Sequence, residues 1–151
     1  RWVGEYTTTS VRDILQMRWE KMPGPDNLIH MGDAYCRVDP VHGQGMTNAA
    51  MEAVKLREEL AAGKGVGKQT MAHFYEITKV PFLVNAVEGR AHPLTTGWKP
   101  AGDWLMRWWL HKCVRAASRD TYIYYHLLRF IHGFGWTGMM RPYILLHVLF
   151  S

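Results

Sequence analysis

The segment GDAYCRVDPVHGQGMTNAAMEA, residues 32–53, joins a Gly-Asp pair, a proline, a Gly-x-Gly and an alanine-rich run within 22 residues. The four apolar-rich residues before it, 28–31, follow a turn-forming stretch and predict a short buried strand. The alanines recur at helical spacing and predict a helix that begins near Met46. The segment therefore predicts a strand, a stiff loop and a helix, in that order.

The residue types in this loop suit a flat, polyhydroxylated ligand that becomes anionic. Asp33 would lie at the carboxyl end of the strand, where ligands of open α/β sheets bind, and its carboxylate can accept hydrogen bonds from hydroxyl groups. Pro40 stiffens the loop, and Gly43 and Gly45 leave the backbone accessible. The free amides at the helix start favour negative charge. A plain strand–turn–helix connection is the alternative.

The same segment resembles the second FAD-binding motif of the aromatic-hydroxylase-like flavoproteins, in the form of squalene-epoxidase-type members. The resemblance is strong over residues 27–60 and looser over residues 88–149. In that family a Gly-Asp pair is followed at fixed spacing by proline, Gly-x-Gly and an alanine-rich helix with an acidic residue. The matching positions are Gly32-Asp33, Pro40, Gly43, Gly45, Met46-Thr47, Ala49-Ala50 and Glu52.

The resemblance implies a role for each matching residue of the loop. Asp33 would bind the ribityl chain of FAD, and Pro40 would lie beside the isoalloxazine. The amides of Gly45, Met46 and Thr47 would face the N1/O2 edge, although Thr47 replaces the asparagine of many members. The implied cofactor-binding residues are Gly32, Asp33, Pro40, Gly43, Gly45, Met46 and Thr47.

Two further residues of the loop are candidates with open alternatives. Arg37 would reach a phosphate of FAD or would be a structural arginine. His42 would touch the substrate or the flavin edge, or would be a loop histidine without a catalytic role. No side chain is predicted to be catalytic. The histidines and the two cysteines form no metal-binding pattern, so no metal site is predicted.

The function implied by the resemblance is that of a FAD-dependent monooxygenase. NAD(P)H would reduce the flavin, which would trap oxygen as a C4a-peroxide and hydroxylate or epoxidise a small organic substrate, aromatic or isoprenoid-like. Another oxidoreductase of the same fold, such as a prenyl-chain reductase or a halogenase, is an alternative. The second alternative is a basic, aromatic membrane-surface or interaction module without activity.

In this family the ADP half of FAD requires a G-x-G-x-x-G turn directly after the first strand, and the sequence has none in that context, since its one such spacing, residues 133–138, follows a predicted helix. We therefore expect the C-terminal part of a longer flavoprotein, inactive alone, whose missing N-terminal part binds ADP. The predicted fold is mostly α with one short core strand, a piece of an α/β, Rossmann-like FAD-binding protein followed by a helical tail. Residues 1–27 would be the end of an upstream or substrate-domain region. Residues 28–80 would be the C-terminal part of the FAD-binding domain, and residues 81–151 would form the helical tail.

The last 62 residues carry the excess positive charge. Residues 1–89 hold 10 Lys and Arg against 11 Asp and Glu, whereas residues 90–151 hold 8 against 2, with 12 of the 19 aromatic residues. This pattern predicts a helical lobe packed on the rest of the chain, with peripheral membrane contact as the alternative. We expect a cytoplasmic protein without a nucleic-acid partner.

Helical spacing, capping residues and prolines predict six helices and one further loop. A helix from Ser10 would place Ile14, Leu15 and Trp19 on one face, and a helix after the loop would bury Ala49, Ala53, Leu56 and Leu60. A third would run from Lys68 to Lys79 and end or kink at Pro81, followed by a loop over residues 85–102. Helices would then begin at Asp103, after Asp120 and at Pro142.

Overall fold

The structure, a computed structural model, describes residues 13–135 and 137–150. This part of the chain is mostly helical. Its helices are α1 (Gly45–Ala61), α2 (Lys68–Gly89), α3 (Asp103–Ala117), α4 (Thr121–Ile131) and α5 (Pro142–Phe150). Short 3-10 turns lie at Trp19–Lys21, Gly32–Ala34, Pro40–His42 and Thr137–Met140. A two-stranded antiparallel sheet pairs β1 (Leu15–Gln16) with β2 (Cys36–Arg37).

The predicted strand at residues 28–31 is wrong. This segment is irregular and lies against α2, where the backbone amide of His30 contacts Met71 Sδ at 3.5 Å. Ile29 and Met31 pack on the apolar cluster around Phe74. Their hydrophobicity is therefore explained by contact with a helix, because an apolar run of four residues does not by itself specify a strand.

The predicted helix from Ser10 begins outside the described residues, and its described part is not helical. Leu15 belongs to β1 and lies opposite Arg37, and Trp19 belongs to a 3-10 turn. The indole Nε1 of Trp19 donates to the carbonyl oxygen of Ala34 at 2.8 Å. The segment thus braces the chain around residues 32–37 instead of forming an amphipathic helix.

Helix α1 begins at Gly45, close to the predicted start, and it buries only part of the predicted face: Leu56 packs on the apolar cluster around Phe74, and Ala49 is half-buried. Ala53 and Leu60 are exposed. The buried positions are Asn48, Glu52 and Glu59. Glu59 accepts hydrogen bonds from Thr70 Oγ1 at 2.6 Å and from His73, both on α2, and these bonds hold its pKa below its usual range. Buried hydrogen bonds therefore act together with the packing of Leu56 to fix the rotation of α1 about its axis.

Helix α2 continues through Pro81 to Gly89, so of the two alternatives predicted at Pro81, an end or a kink, the end is wrong, and the following loop covers residues 90–102 instead of 85–102. An internal proline removes one backbone hydrogen bond. Thr78, Pro81 and Val84 are nevertheless buried along one side of the helix. Their packing stabilises the helix at the position where the backbone hydrogen bond is lost. The expected boundary between residues 80 and 81 lies inside this helix.

The C-terminal lobe, defined here as α3 to α5, has the predicted helices. Helix α3 begins at Asp103 and α5 at Pro142. Asp120 caps α4, since its Oδ1 accepts from the amides of Tyr122 and Ile123 at 2.8 and 3.2 Å. The core of the lobe is apolar and contains Cys113, Ala116, Ala117, Ile123, Leu127, Met139, Ile144 and Val148.

Two kinds of feature are absent from the described residues. No helix there has the length and apolar character that crossing a bilayer requires. No group of three or more His, Cys, Asp or Glu side chains there is arranged to hold a metal ion.

Candidate functional site

The Gly-Asp turn is held firmly from its inner side. Gly32 has a φ of 58°, in the left-handed region that favours glycine, and it opens a 3-10 turn. Tyr35, at the end of this turn, is fully buried and donates its hydroxyl hydrogen to Glu20 at 3.1 Å. Asp33 points the other way and is exposed. Its carboxylate has no hydrogen-bond or ion-pair partner among the described residues.

Glu52 fastens this turn to α1 from below. Its Oε2 accepts a hydrogen bond from the backbone amide of Gly32 at 2.6 Å, and its side chain is buried. Burial raises the pKa of Glu52 to about 7, the negative charge of Asp33 adds to this rise, and the Gly32 amide opposes it. The second oxygen, Oε1, is buried and has no partner within the part of the chain that the structure describes.

The middle of the loop presents backbone and apolar side chains to the surface. Asp39 accepts a hydrogen bond from the amide of Val41 at 2.9 Å and so opens the 3-10 turn that contains Pro40. Gly43 ends that turn with a φ of 64°. Val41 and Met46 are each 86% exposed. Exposed apolar side chains around a rigid loop indicate a surface that another group can cover.

Asp33 lies beside the start of α1. A side-chain carbon placed on Gly45 would be 3.9 Å from Asp33 Oδ1. The first helix amide that finds a backbone acceptor is that of Asn48, which donates to Gln44 at 2.9 Å. The amides of Gly45 to Thr47 therefore have no intrahelical acceptor. The side-chain oxygen and nitrogen of Asn48 are buried and unpartnered among the described residues.

A buried network of amide side chains, which no sequence pattern predicted, anchors the loop. Gln44 is fully buried, and its Nε2 donates to the carbonyl oxygen of Ile131 at 2.5 Å. Asn85 on α2 donates to Gln44 Oε1 and to the carbonyl of Pro81, and it accepts from the amide of Asp39 at 3.0 Å. The one sequence signal for this network is the amide side chain of Asn85 within the otherwise apolar run VPFLVNAV, residues 80–87.

The structure brings together Gly32, Asp33 and the helix start at Gly45, but it does not join the two additional candidates to them. Arg37 lies on β2, and its buried Nε has no partner among the described residues. His42 ends the 3-10 turn and is half-buried. Thr47 lies on a shallow groove of about 530 Å³ that α1 forms with Ile77 and Phe134.

Comparison with known proteins gives one informative similarity. No family model matches the sequence, and no solved structure matches it. Protein Rv3254 of Mycobacterium tuberculosis is 30% identical over 98 residues, an alignment that covers 57% of this chain and 21% of that protein. The chain thus spans about a fifth of the length of this curated relative. The name of the relative specifies no activity.

Proposed function

We propose that this chain forms part of a FAD-dependent oxidoreductase, in which residues 32–47 bind the ribityl chain and the flavin ring. One observation carries the proposal: an exposed, unpartnered carboxylate, that of Asp33, lies next to helix amides that have no acceptor. A ribityl chain supplies hydroxyl donors for the carboxylate, and the reduced flavin supplies negative charge for the amides.

The residues around this pair fit the same cofactor. Pro40, Val41 and Met46 expose apolar surface that a flat ring system would remove from water. Behind them, Glu52 Oε1 and both polar atoms of Asn48 are buried without partners among the described residues. Buried polar groups are nearly always hydrogen-bonded in complete proteins. These atoms therefore support a missing polar ligand, or a missing part of the protein, on this side of α1.

The chain's own residues would bind and orient the cofactor. FAD, when bound, would pass electrons from NAD(P)H to oxygen for the hydroxylation or epoxidation of a small organic substrate. Asp33 would hold the ribityl hydroxyl groups, and the amides of Gly45 to Thr47 would stabilise negative charge on the ring. Glu52 would keep the Gly32-Asp33 turn in position through its bond to the Gly32 amide.

The decisive experiment measures flavin content in the whole gene product, with Asp33→Ala as the test variant. Losing hydrogen bonds to a charged acceptor costs on the order of 1–3 kcal/mol, so FAD affinity should fall by roughly 5- to 150-fold. The matched control is Asp26→Ala, which removes an equally exposed carboxylate on a turn outside the loop. A folded Asp33→Ala protein with normal flavin content and affinity would contradict the proposal.

The 151-residue chain by itself should bind FAD weakly, because its one G-x-G-x-x-G spacing, residues 133–138, follows helix α4 and not a strand, the context that a pyrophosphate-binding turn requires. Titration of the purified chain with FAD, followed by flavin fluorescence, measures this affinity. Stoichiometric binding at micromolar concentrations would show that residues 32–47 suffice for tight binding. Such a result would contradict the division of the cofactor site between this chain and another segment.

A further inference from the structure

A second candidate site lies on the C-terminal lobe and shares no residue with the loop. It is a pocket of about 580 Å³ between α4 and the segment that leads into α5. Helix α4 supplies Tyr122, Tyr125, His126 and Arg129, and Arg141 completes the pocket from the other side. The four α4 residues follow the i, i+3, i+4, i+7 spacing of one helix face, so the helix presents all four together.

The charge of this pocket is entirely positive. Arg129 and Arg141 line it, and no acidic residue does. Neither arginine takes part in any of the ion pairs formed among the described residues. Exposed arginines are common on protein surfaces, but two in one concave site without a carboxylate leave the positive charge available to a ligand.

Each arginine is held in place by a tyrosine. Arg129 donates to the Tyr125 hydroxyl at 3.1 Å and to the Phe134 carbonyl at 3.2 Å, and its guanidinium lies 5.7 Å from the Tyr125 ring centre. Arg141 donates to the Tyr122 hydroxyl and lies 5.7 Å from that ring. A guanidinium has five N–H groups, so most of them remain available in both residues. Their orientation is fixed before any ligand arrives.

His126 forms the inner part of the pocket. Its ring lies 4.6 Å from the ring of Tyr122 and 5.2 Å from that of Tyr125, edge to face, and it is buried. Burial lowers the pKa of His126, and the charges of Arg141 and Arg129 lower it further. Gly138 lies so close to His126 Nδ1 that a side chain there would collide with the ring.

We propose that this pocket binds an oxyanion, a carboxylate or a phosphate group, carried on a flat apolar body. The guanidinium groups match the two-oxygen geometry of such anions, and the tyrosine rings offer faces and edges for the attached body. The absence of any lining carboxylate removes competition for the arginines. The proposal is independent of flavin binding, because the two sites have no residue in common.

The test is calorimetric titration of the whole gene product with phenyl phosphate and with benzoate. Inorganic phosphate and benzyl alcohol serve as probes of the anion alone and of the ring alone. We expect one or both aromatic anions to bind, benzyl alcohol not to bind, and inorganic phosphate to bind more weakly than phenyl phosphate. The double variant R129Q/R141Q should weaken binding at least tenfold, whereas R107Q/R115Q, which removes two arginines of α3, should not.

Two additional measurements keep the test decisive. R129K/R141K retains both positive charges but loses the planar guanidinium groups, so it should also weaken binding of the aromatic anions. If R129Q/R141Q does not fold, R129K/R141K serves as the test variant in its place. In NMR spectra, a bound anion should raise the pKa of His126 by offsetting the two guanidinium charges. Unchanged affinity in the folded variants would overturn the proposal. Equal weakening in R107Q/R115Q would overturn it too, since binding would then follow net charge alone.

Discussion

The loop half of the molecule, residues 13–89, and the C-terminal lobe have different interiors. Seven polar residues are buried in the loop half and two in the described part that follows it. The core of the lobe consists of aliphatic, methionine and cysteine side chains. The buried polar residues of the loop half are Gln44, Asn48, Glu52, Glu59, Thr70, Thr78 and Asn85.

This difference separates two structural tasks. Burial of apolar surface stabilises the folded state in proportion to the buried area and is not directional. It therefore suits a lobe that needs only compact packing. Hydrogen bonds act over short distances and fixed angles, so they can set the position of a loop. Glu52 and Asn85 bind the candidate loop at Gly32, Asp39 and Gln44, and Gln44 in turn binds Ile131 at the end of α4. The buried polar side chains of this half therefore serve mainly to set the position of the candidate loop.

The largest effect is expected from a cavity in the lobe. Ile144 is fully buried, and Ile144→Ala should lower the free energy of unfolding by about 2–5 kcal/mol. Denaturant unfolding of the purified protein measures the loss. Leu149→Ala, at a half-exposed position of the same helix, should change stability by less than about 0.5 kcal/mol. Equal losses in both variants would show that the lobe has no specific core around Ile144.

A smaller but more local effect is expected from Asn85→Leu. This change leaves the buried Gln44 Oε1 without its partner, at a cost of about 1–3 kcal/mol, and it also removes the acceptor of the Asp39 amide, which is only partly buried and can turn to water. Unlike the cavity in the lobe, it should also loosen the loop and reduce flavin content at temperatures where the protein stays folded. Denaturant unfolding and flavin absorbance together separate the two effects. Normal flavin content in a destabilised Asn85→Leu protein would remove the positioning role.

The pH dependence of stability should be altered by Glu52→Gln. Burial raises the folded-state pKa of Glu52 from its ordinary 4.5 to about 7, so between these values the folded protein holds a proton that the unfolded chain has released. This group therefore favours folding at low pH, and that contribution is lost as pH rises towards 7, by roughly 1–3 kcal/mol in total. The variant should lack this decline.

Denaturant unfolding at several pH values between 4.5 and 7 gives the difference between the two proteins. The difference is the informative quantity, because Glu59 acts in the opposite direction: Thr70 and His73 lower its pKa. The control is Glu76→Gln, at an exposed position of α2. Parallel curves for the wild type and Glu52→Gln would mean that Glu52 is ionised and solvated in the folded protein.

The smallest effect concerns the surface of the lobe. Trp98 and Trp104 are 64% and 66% exposed and belong to residues 90–151, which hold eight basic and two acidic residues. We expect weak sedimentation with anionic liposomes at low salt, and its loss at high salt because surface charges are screened. Trp104→Ser should reduce it, whereas Thr121→Ser should not. No sedimentation at low salt would reject membrane contact.

How much the sequence predicted depends on the kind of interaction involved. The helices at Asp103, after Asp120 and at Pro142 were predictable because capping and proline signals are local. The start of α1 near Gly45 was predictable from the spacing of the alanines, whereas the binding roles of the loop residues stay predictions. The irregular conformation of residues 28–31 and the polar side chains on the buried face of α1 were not predictable. Both are decided by contacts with helix α2, which lies in a distant part of the chain. No local pattern shows that Asn85 meets Gln44 across 41 positions.

The hydrogen bond from Gln44 to Ile131 also has a consequence for the order of folding. It joins residues 87 positions apart. Contacts of such separation form late, since the entropy of closing the intervening chain must be overcome first. During synthesis, α1 and α2 leave the ribosome well before α4 does. The candidate loop therefore acquires this anchor only after α4 has docked against it, so under the proposed function cofactor binding would follow the folding of the C-terminal lobe.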